Sequence, residues 1–166
     1  MRFLPAKVRV GQVIGLLSAA MDFGEKALDL YKLADEMNLT AETLIPILRA
    51  AQVLHLVNVS KGDIHLTKTG VELAQKGLAG LTSVRDILAR TEPFYTALSL
   101  AKKGPFTPEE LAAELSSNAA GWVDSDYTDP AVLKEMLVDW GIYTKLVSYD
   151  GEGVFGEFLE SRAAGT

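Results

Sequence analysis

A mainly α fold with small β-hairpin wings, arranged as tandem winged helix-turn-helix units joined by a helical connector, is what this sequence predicts. Three observations predict it. From Ala27 to Thr69, two amphipathic helical patterns are followed by two strand patterns around Ser60-Lys61-Gly62-Asp63. From Thr107 to Phe155 the same order returns, with two helix starts and then strand patterns around Asp150-Gly151-Glu152-Gly153. Between these blocks runs helical, apolar sequence punctuated by glycine and proline.

In chain order, a first helix over about Val8 to Met21 offers Val10, Val13, Ile14 and Leu17 for packing. A second, Leu28 to Met37, clusters Leu28, Leu30, Tyr31, Leu33, Ala34 and Met37 at helical spacing. Thr40 is a good N-cap for a third, Ala41 to Leu56, whose apolar stripe reads Leu44, Ile45, Leu48, Ala51 and Val53 or Leu54. Pro46 lies past its first turn, removes a helical hydrogen bond, and is expected to bend the helix and expose Ile47 and Ala50. Val57-Asn58-Val59 and Ile64-His65-Leu66-Thr67 alternate as strands of a wing, and the glycines at 77 and 80 close the unit. Thr82 or Ser83 starts a helix to Arg90, and Thr91-Glu92-Pro93 starts another to Lys103, stopped by Gly104-Pro105. Thr107-Pro108-Glu109-Glu110 is a strong helix start, with Thr at the cap and Pro at the first helical position. Asp129-Pro130 opens the next helix, with Leu133, Met136, Leu137 and Trp140 buried, Tyr143 packed beside them, and Gly141 ending it. Tyr143 to Tyr149 and Val154-Phe155 form the second wing. The resulting division is a first winged-helix unit over 1–80, a connector over 81–104, a second unit over 105–158 and a flexible tail over 159–166.

With 48% apolar residues in 166, the chain can build a core without covalent staples. It has no cysteine, hence no disulfide and no thiolate metal site, which fits a cytoplasmic location. The longest apolar run, Val13 to Met21, is too short to span a bilayer and its flanks are unlike a secretory signal, so no membrane insertion is expected. Charge is uneven: residues 1–76 hold nine Lys or Arg against eight Asp or Glu, and residues 77–166 hold seven against fourteen. The acidic second half argues against a phosphate-binding face there.

Several short blocks occur in a fixed order: Leu4-Pro5-x-x-Val8-x-Val10-Gly11, Asp29-Leu30-Tyr31-x-Leu33-Ala34-Asp35-Glu36, Leu44-Ile45-Pro46-Ile47, Gly62-Asp63-Ile64-x-Leu66-Thr67, Gly70, and Trp140-Gly141-x-Tyr143 with Tyr149-Asp150. This ordered set resembles the C-terminal AAA-associated domain, which follows the ATP-binding subunit of nitrate, sulfonate or taurine-type ABC transporters. The resemblance covers nearly the whole chain and implies a regulatory or interaction module, with a transporter ATPase subunit as its protein partner. It carries over no catalytic or ligand residue. Ile142 stands where the family tends to have a basic residue, and no GxxxxGK[ST] phosphate loop occurs in the sequence, as in a free-standing homologue or an excised domain.

The alternative reading is a winged-helix DNA-binding transcriptional regulator. Its contacts would be Thr43, Arg49 and Gln52 on the recognition helix, Lys61 and His65 on the wing, and Arg2, Lys7 and Arg9 as an N-terminal arm. Nucleic acid is disfavoured because Arg49 is the one basic residue of that helix and Glu42 repels phosphate. No catalytic residue, cofactor or metal site is expected: His55 and His65 lack a ligand spacing, and Asp124-x-Asp126-x-Thr128-Asp129 echoes a calcium loop but has Asp129 where glycine is needed, making Asp129 a helix cap. The expected protein interface is Ile47 with the aromatics Phe94, Tyr95, Trp122 and Tyr127, and Phe3-Leu4-Pro5, the connector, or both, are expected to pair copies into a homo-oligomer.

Overall fold

The computed structural model describes residues 2–24, 27–118 and 125–159. In chain order the elements are β1 (Arg2–Phe3), α1 (Val10–Phe23), α2 (Leu30–Glu36), α3 (Ala41–Val53), β2 (Val57–Ser60), β3 (Asp63–Leu66), α4 (Lys68–Lys76), a 3-10 segment (Gly77–Val84), α5 (Arg85–Ala89), β4 (Thr91–Glu92), α6 (Phe94–Lys103), α7 (Pro108–Asn118), a second 3-10 turn (Ser125–Thr128), α8 (Pro130–Met136), a π-helical turn (Leu137–Ile142), β5 (Val147–Tyr149) and β6 (Phe155–Glu157). The protein is mainly helical with small antiparallel hairpins, β2–β3 and β5–β6.

The chain divides into two compact units, Val8–Val84 and a discontinuous one made of Met1–Lys7 with Arg85–Thr166. This differs from the division expected from sequence, because the N-terminal segment belongs with the second half. β1 pairs in parallel with β4, Arg2 opposite Thr91 and Phe3 opposite Glu92, and the Leu4 N–H donates to the Glu92 carbonyl at 3.0 Å. Of the stretch expected to be a separate connector, 81–104, residues 81–84 fall in the Val8–Val84 unit and the rest, with α5 and α6, in the other unit. Of the expected tail, residues 160–166 lie outside the described residues.

In the Val8–Val84 unit, α1 packs on α2, α3 and α4. Its core holds Val10, Val13, Leu16 and Leu17 from α1, Leu33 from α2, and Leu44, Ile47, Leu48 and Ala51 from α3. Thr40 caps α3 by accepting from the Thr43 N–H at 3.2 Å, as its position before an apolar run predicts. The β2–β3 loop is Lys61-Gly62 with φ 52° and 82°, the positive angles of a two-residue type I′ turn that matches strand twist. Thr67 then caps α4, accepting from Gly70 at 3.0 Å while its hydroxyl donates to the His55 carbonyl at 2.7 Å. That joint ties the exit of the hairpin to the end of α3.

In the other unit, Thr107 and Asp129 cap α7 and α8, accepting from Glu110 at 3.2 Å and Ala131 at 3.0 Å. Phe106 and Phe155 exchange two backbone hydrogen bonds of 2.8 Å, fixing the lead-in to α7 on the edge of the hairpin. Trp140, Phe94, Phe106 and Phe155 are its largest fully buried side chains. Gly141 does not end the helix as expected. It sits inside the π-helical turn, where a Cβ would come 2.7 Å from Val147 Cγ2, so glycine is required by the close approach of β5.

Candidate functional site

α3 follows a turn, precedes the first hairpin and turns one face outward. Its buried side is Leu44, Ile47, Leu48, Ala50 and Ala51, and its exposed side is Glu42, Ile45, Arg49 and Gln52, with Thr43 at the first turn. The expectation that Pro46 exposes Ile47 and Ala50 is corrected. They are 2% and 0% exposed, and the helix runs unbroken through Pro46 with Ile45, at 41%, as its outward apolar residue. Pro46 sits six positions from the N-cap, so it deletes one hydrogen bond but leaves the core face in register.

The proposed nucleic-acid contacts are all exposed but are divided between the units. Arg9, Thr43, Arg49, Gln52, Lys61 and His65 belong to Val8–Val84, whereas Arg2 and Lys7 belong to the other unit. Lys7 is engaged there, its ammonium 3.3 Å from the Asp126 carboxylate. Thr43 shares its hydroxyl with that of Thr40 at 2.8 Å, so its side chain is committed to the helix cap. Arg9 is the N-cap of α1, its N–H donating to the Gln12 side chain at 2.9 Å.

Three of the proposed interface residues are placed differently from expectation. Phe94 is fully buried at the start of α6, and Ile47 is core. Tyr127 is 4% exposed and its hydroxyl donates to the Leu4 carbonyl, while its ring lies 6.2 Å from that of Phe3. Leu4 of Phe3-Leu4-Pro5 is thus buried within its own unit, with Phe3 and Pro5 half-buried beside it. Trp122 lies outside the described residues. Tyr95 is exposed at 49%, and Tyr143, expected in the core, is exposed at 51% beside Ile142 at 38%. Tyr31 is also outside its core, at 74%.

Glu92, in sequence no more than part of a helix start, is a carboxylate only 4% exposed. Its two oxygens accept from the Thr96 N–H at 3.2 Å and the Thr96 hydroxyl at 2.8 Å, which satisfies it at the start of α6. The signal was the Glu-Pro step followed four residues on by threonine. Among the described residues there is no group of three or more His, Cys, Asp or Glu able to hold a metal ion, and Asp126 and Asp129 are a salt-bridge partner and a cap. His55 and His65 are both exposed, on the α3 terminus and on β3.

The family model for the C-terminal AAA-associated domain matches residues 31–150, from within α2 to the turn after β5. The chain belongs to the C-terminal AAA-associated domain family. No curated protein and no solved structure matches it. The match takes in α3, the first hairpin and the chain on through α8 to β5, and stops short of β6. The name itself points to an ATPase-related protein as the domain's associate. No described helix of this AAA-associated domain is long and apolar enough to cross a membrane.

Proposed function

We propose that this AAA-associated domain is a cytoplasmic, non-catalytic module of two winged-helix units that binds and regulates the ATP-binding subunit of an ABC transporter. The observation that carries this reading is the family match over residues 31–150, and the composition of the α3 face weighs against a nucleic-acid partner. Glu42, Ile45, Arg49 and Gln52 present one anion, one aliphatic group, one cation and one amide where a duplex reader needs several cations. A face of that mix suits a protein surface, where one apolar group surrounded by polar ones is the usual arrangement.

The exposed aromatics of the second-half unit, Tyr95 and Tyr143, supply the contacts to the ATPase. Large amphipathic side chains held on a rigid element contribute much binding area at low entropic cost. The experiment is to mix the purified domain with the transport ATPase subunit encoded nearest to it and follow ATP hydrolysis. A saturable change in rate, lost in Tyr95→Glu or Tyr143→Glu with helical content intact, is expected. An unchanged rate together with no complex on size exclusion overturns the reading.

A further inference from the structure

We propose that a second copy of this chain docks on the outward face of α3, the two helices packing antiparallel about a two-fold axis. The face is self-complementary. Glu42, Ile45, Arg49 and Gln52 recur at intervals of three, four and three residues and all are exposed, with Pro46 and Val53 half-buried at the margin. Glu42 and Arg49 are seven residues apart, about 10 Å along the axis, too far to pair with each other. Neither forms an ion pair with another described residue.

A two-fold axis crossing the helix between Ile45 and Pro46 satisfies both charges at once. Residues whose numbers sum to 91 then face each other, so Glu42 meets Arg49 of the second copy and Arg49 meets its Glu42. Ile45 meets the second copy's Pro46 on each side of the axis, giving an apolar centre ringed by ion pairs. Such an isologous contact needs only the surface already present on one chain. A duplex would place phosphate against Glu42, and any other protein partner would have to supply the matching acid, base and apolar group independently. The face is separate in sequence from Tyr95 and Tyr143, so loss of this contact and loss of ATPase binding are distinguishable results.

The chain has no cysteine, which makes a cross-linking test clean. Ile45→Cys, placed beside the axis, should give a disulfide-linked dimer on mild oxidation, while Gln75→Cys, exposed on α4, should not. Sedimentation equilibrium of the full chain should show a reversible dimer. Glu42→Arg alone or Arg49→Glu alone, by setting like charges across the axis, should weaken it at least about tenfold. The double exchange Glu42→Arg with Arg49→Glu should restore it to within about threefold. A monomer at every concentration up to about 1 mM (a contact too weak to matter) overturns the proposal. So does a dimer indifferent to these exchanges, equal cross-linking at positions 45 and 75, or occupation of the face by DNA or the ATPase subunit.

Discussion

The carbonyl oxygen of Leu56 occupies the space in which a side chain on Gly70 would begin. A Cβ built on Gly70 would lie 2.0 Å from that oxygen, and the same oxygen accepts the Thr67 N–H at 3.0 Å. The start of α4 is thereby pressed onto the residue that leads from α3 into the hairpin. Glycine inside a helix ordinarily costs stability relative to alanine, so Gly70→Ala would stabilise if propensity ruled. Here sterics rule, because backbone rather than a flexible side chain would have to move. Gly70→Ala should destabilise the Val8–Val84 unit by about 3 kcal/mol, measured as a fall in urea midpoint at unchanged slope.

Ile45 and Ile47 should respond oppositely to the same charge. Ile47 is 2% exposed, so Ile47→Glu buries an unpaired carboxylate and should cost more than about 4 kcal/mol, unfolding the unit. Ile45 is 41% exposed, and Ile45→Glu should leave the thermal transition within about 0.5 kcal/mol of the wild type under monomeric conditions. Circular dichroism melts of the two variants check this directly.

Tyr127 fastens the N-terminal segment to its unit through one hydroxyl, donated to the Leu4 carbonyl. Tyr127→Phe keeps the ring against Phe3 but leaves a buried carbonyl without that donor. It should cost about 1–2 kcal/mol and speed amide exchange at Leu4, whose N–H bonds Glu92, while α1 and α3 keep their protection.

Asp150 gives the second hairpin a dependence on pH. Its Oδ1 accepts from the Glu152 N–H at 2.7 Å and the Val154 N–H at 3.0 Å, and these bonds hold its carboxyl below the ordinary value of 3.8. A folded pKa below the unfolded one means the stabilisation is fully present above the ordinary carboxylate range. It is lost as pH falls through the folded value. The difference in urea midpoint between the wild type and Asp150→Ala should therefore be constant above about pH 5 and shrink steadily below about pH 4. A difference that grows on acidification would contradict the assignment.

Much of the helix placement was legible because caps and turns are local chemistry. Thr40, Thr107 and Asp129 cap the helices they precede, and Lys61-Gly62 makes the first hairpin turn. The parallel pairing of β1 with β4 was not legible, because two-residue strands have no period and their partners lie about ninety positions apart in sequence. The same holds for the contacts of Tyr127 with Phe3 and Leu4. On α3 the inward direction is set by Leu44, Leu48 and Ala51. Ala50 is buried as well and turns the inward direction toward Ile47: at 100° per residue Ile47 lies about 30° from the centre of the five buried residues and Ile45 about 130°. Gly70 and Gly141 were visible as glycines, but their reasons are approaches of Leu56 and Val147, which only the fold brings near. Phe94 and Tyr95 were an inseparable pair in sequence, and their neighbours in the fold bury one and expose the other.

The central claim is that this AAA-associated domain recognises an ATPase subunit rather than a nucleic acid. The most direct measurement is a fluorescence anisotropy titration of the labelled domain with the purified ATP-binding subunit, run with and without excess genomic duplex DNA at about 50 mM salt, where counterion release favours even weak DNA binding. The account predicts saturable binding, unchanged by the DNA and weakened in Tyr95→Glu and Tyr143→Glu. No binding to the subunit, or a signal carried by the DNA and abolished in Arg49→Ala, would contradict it.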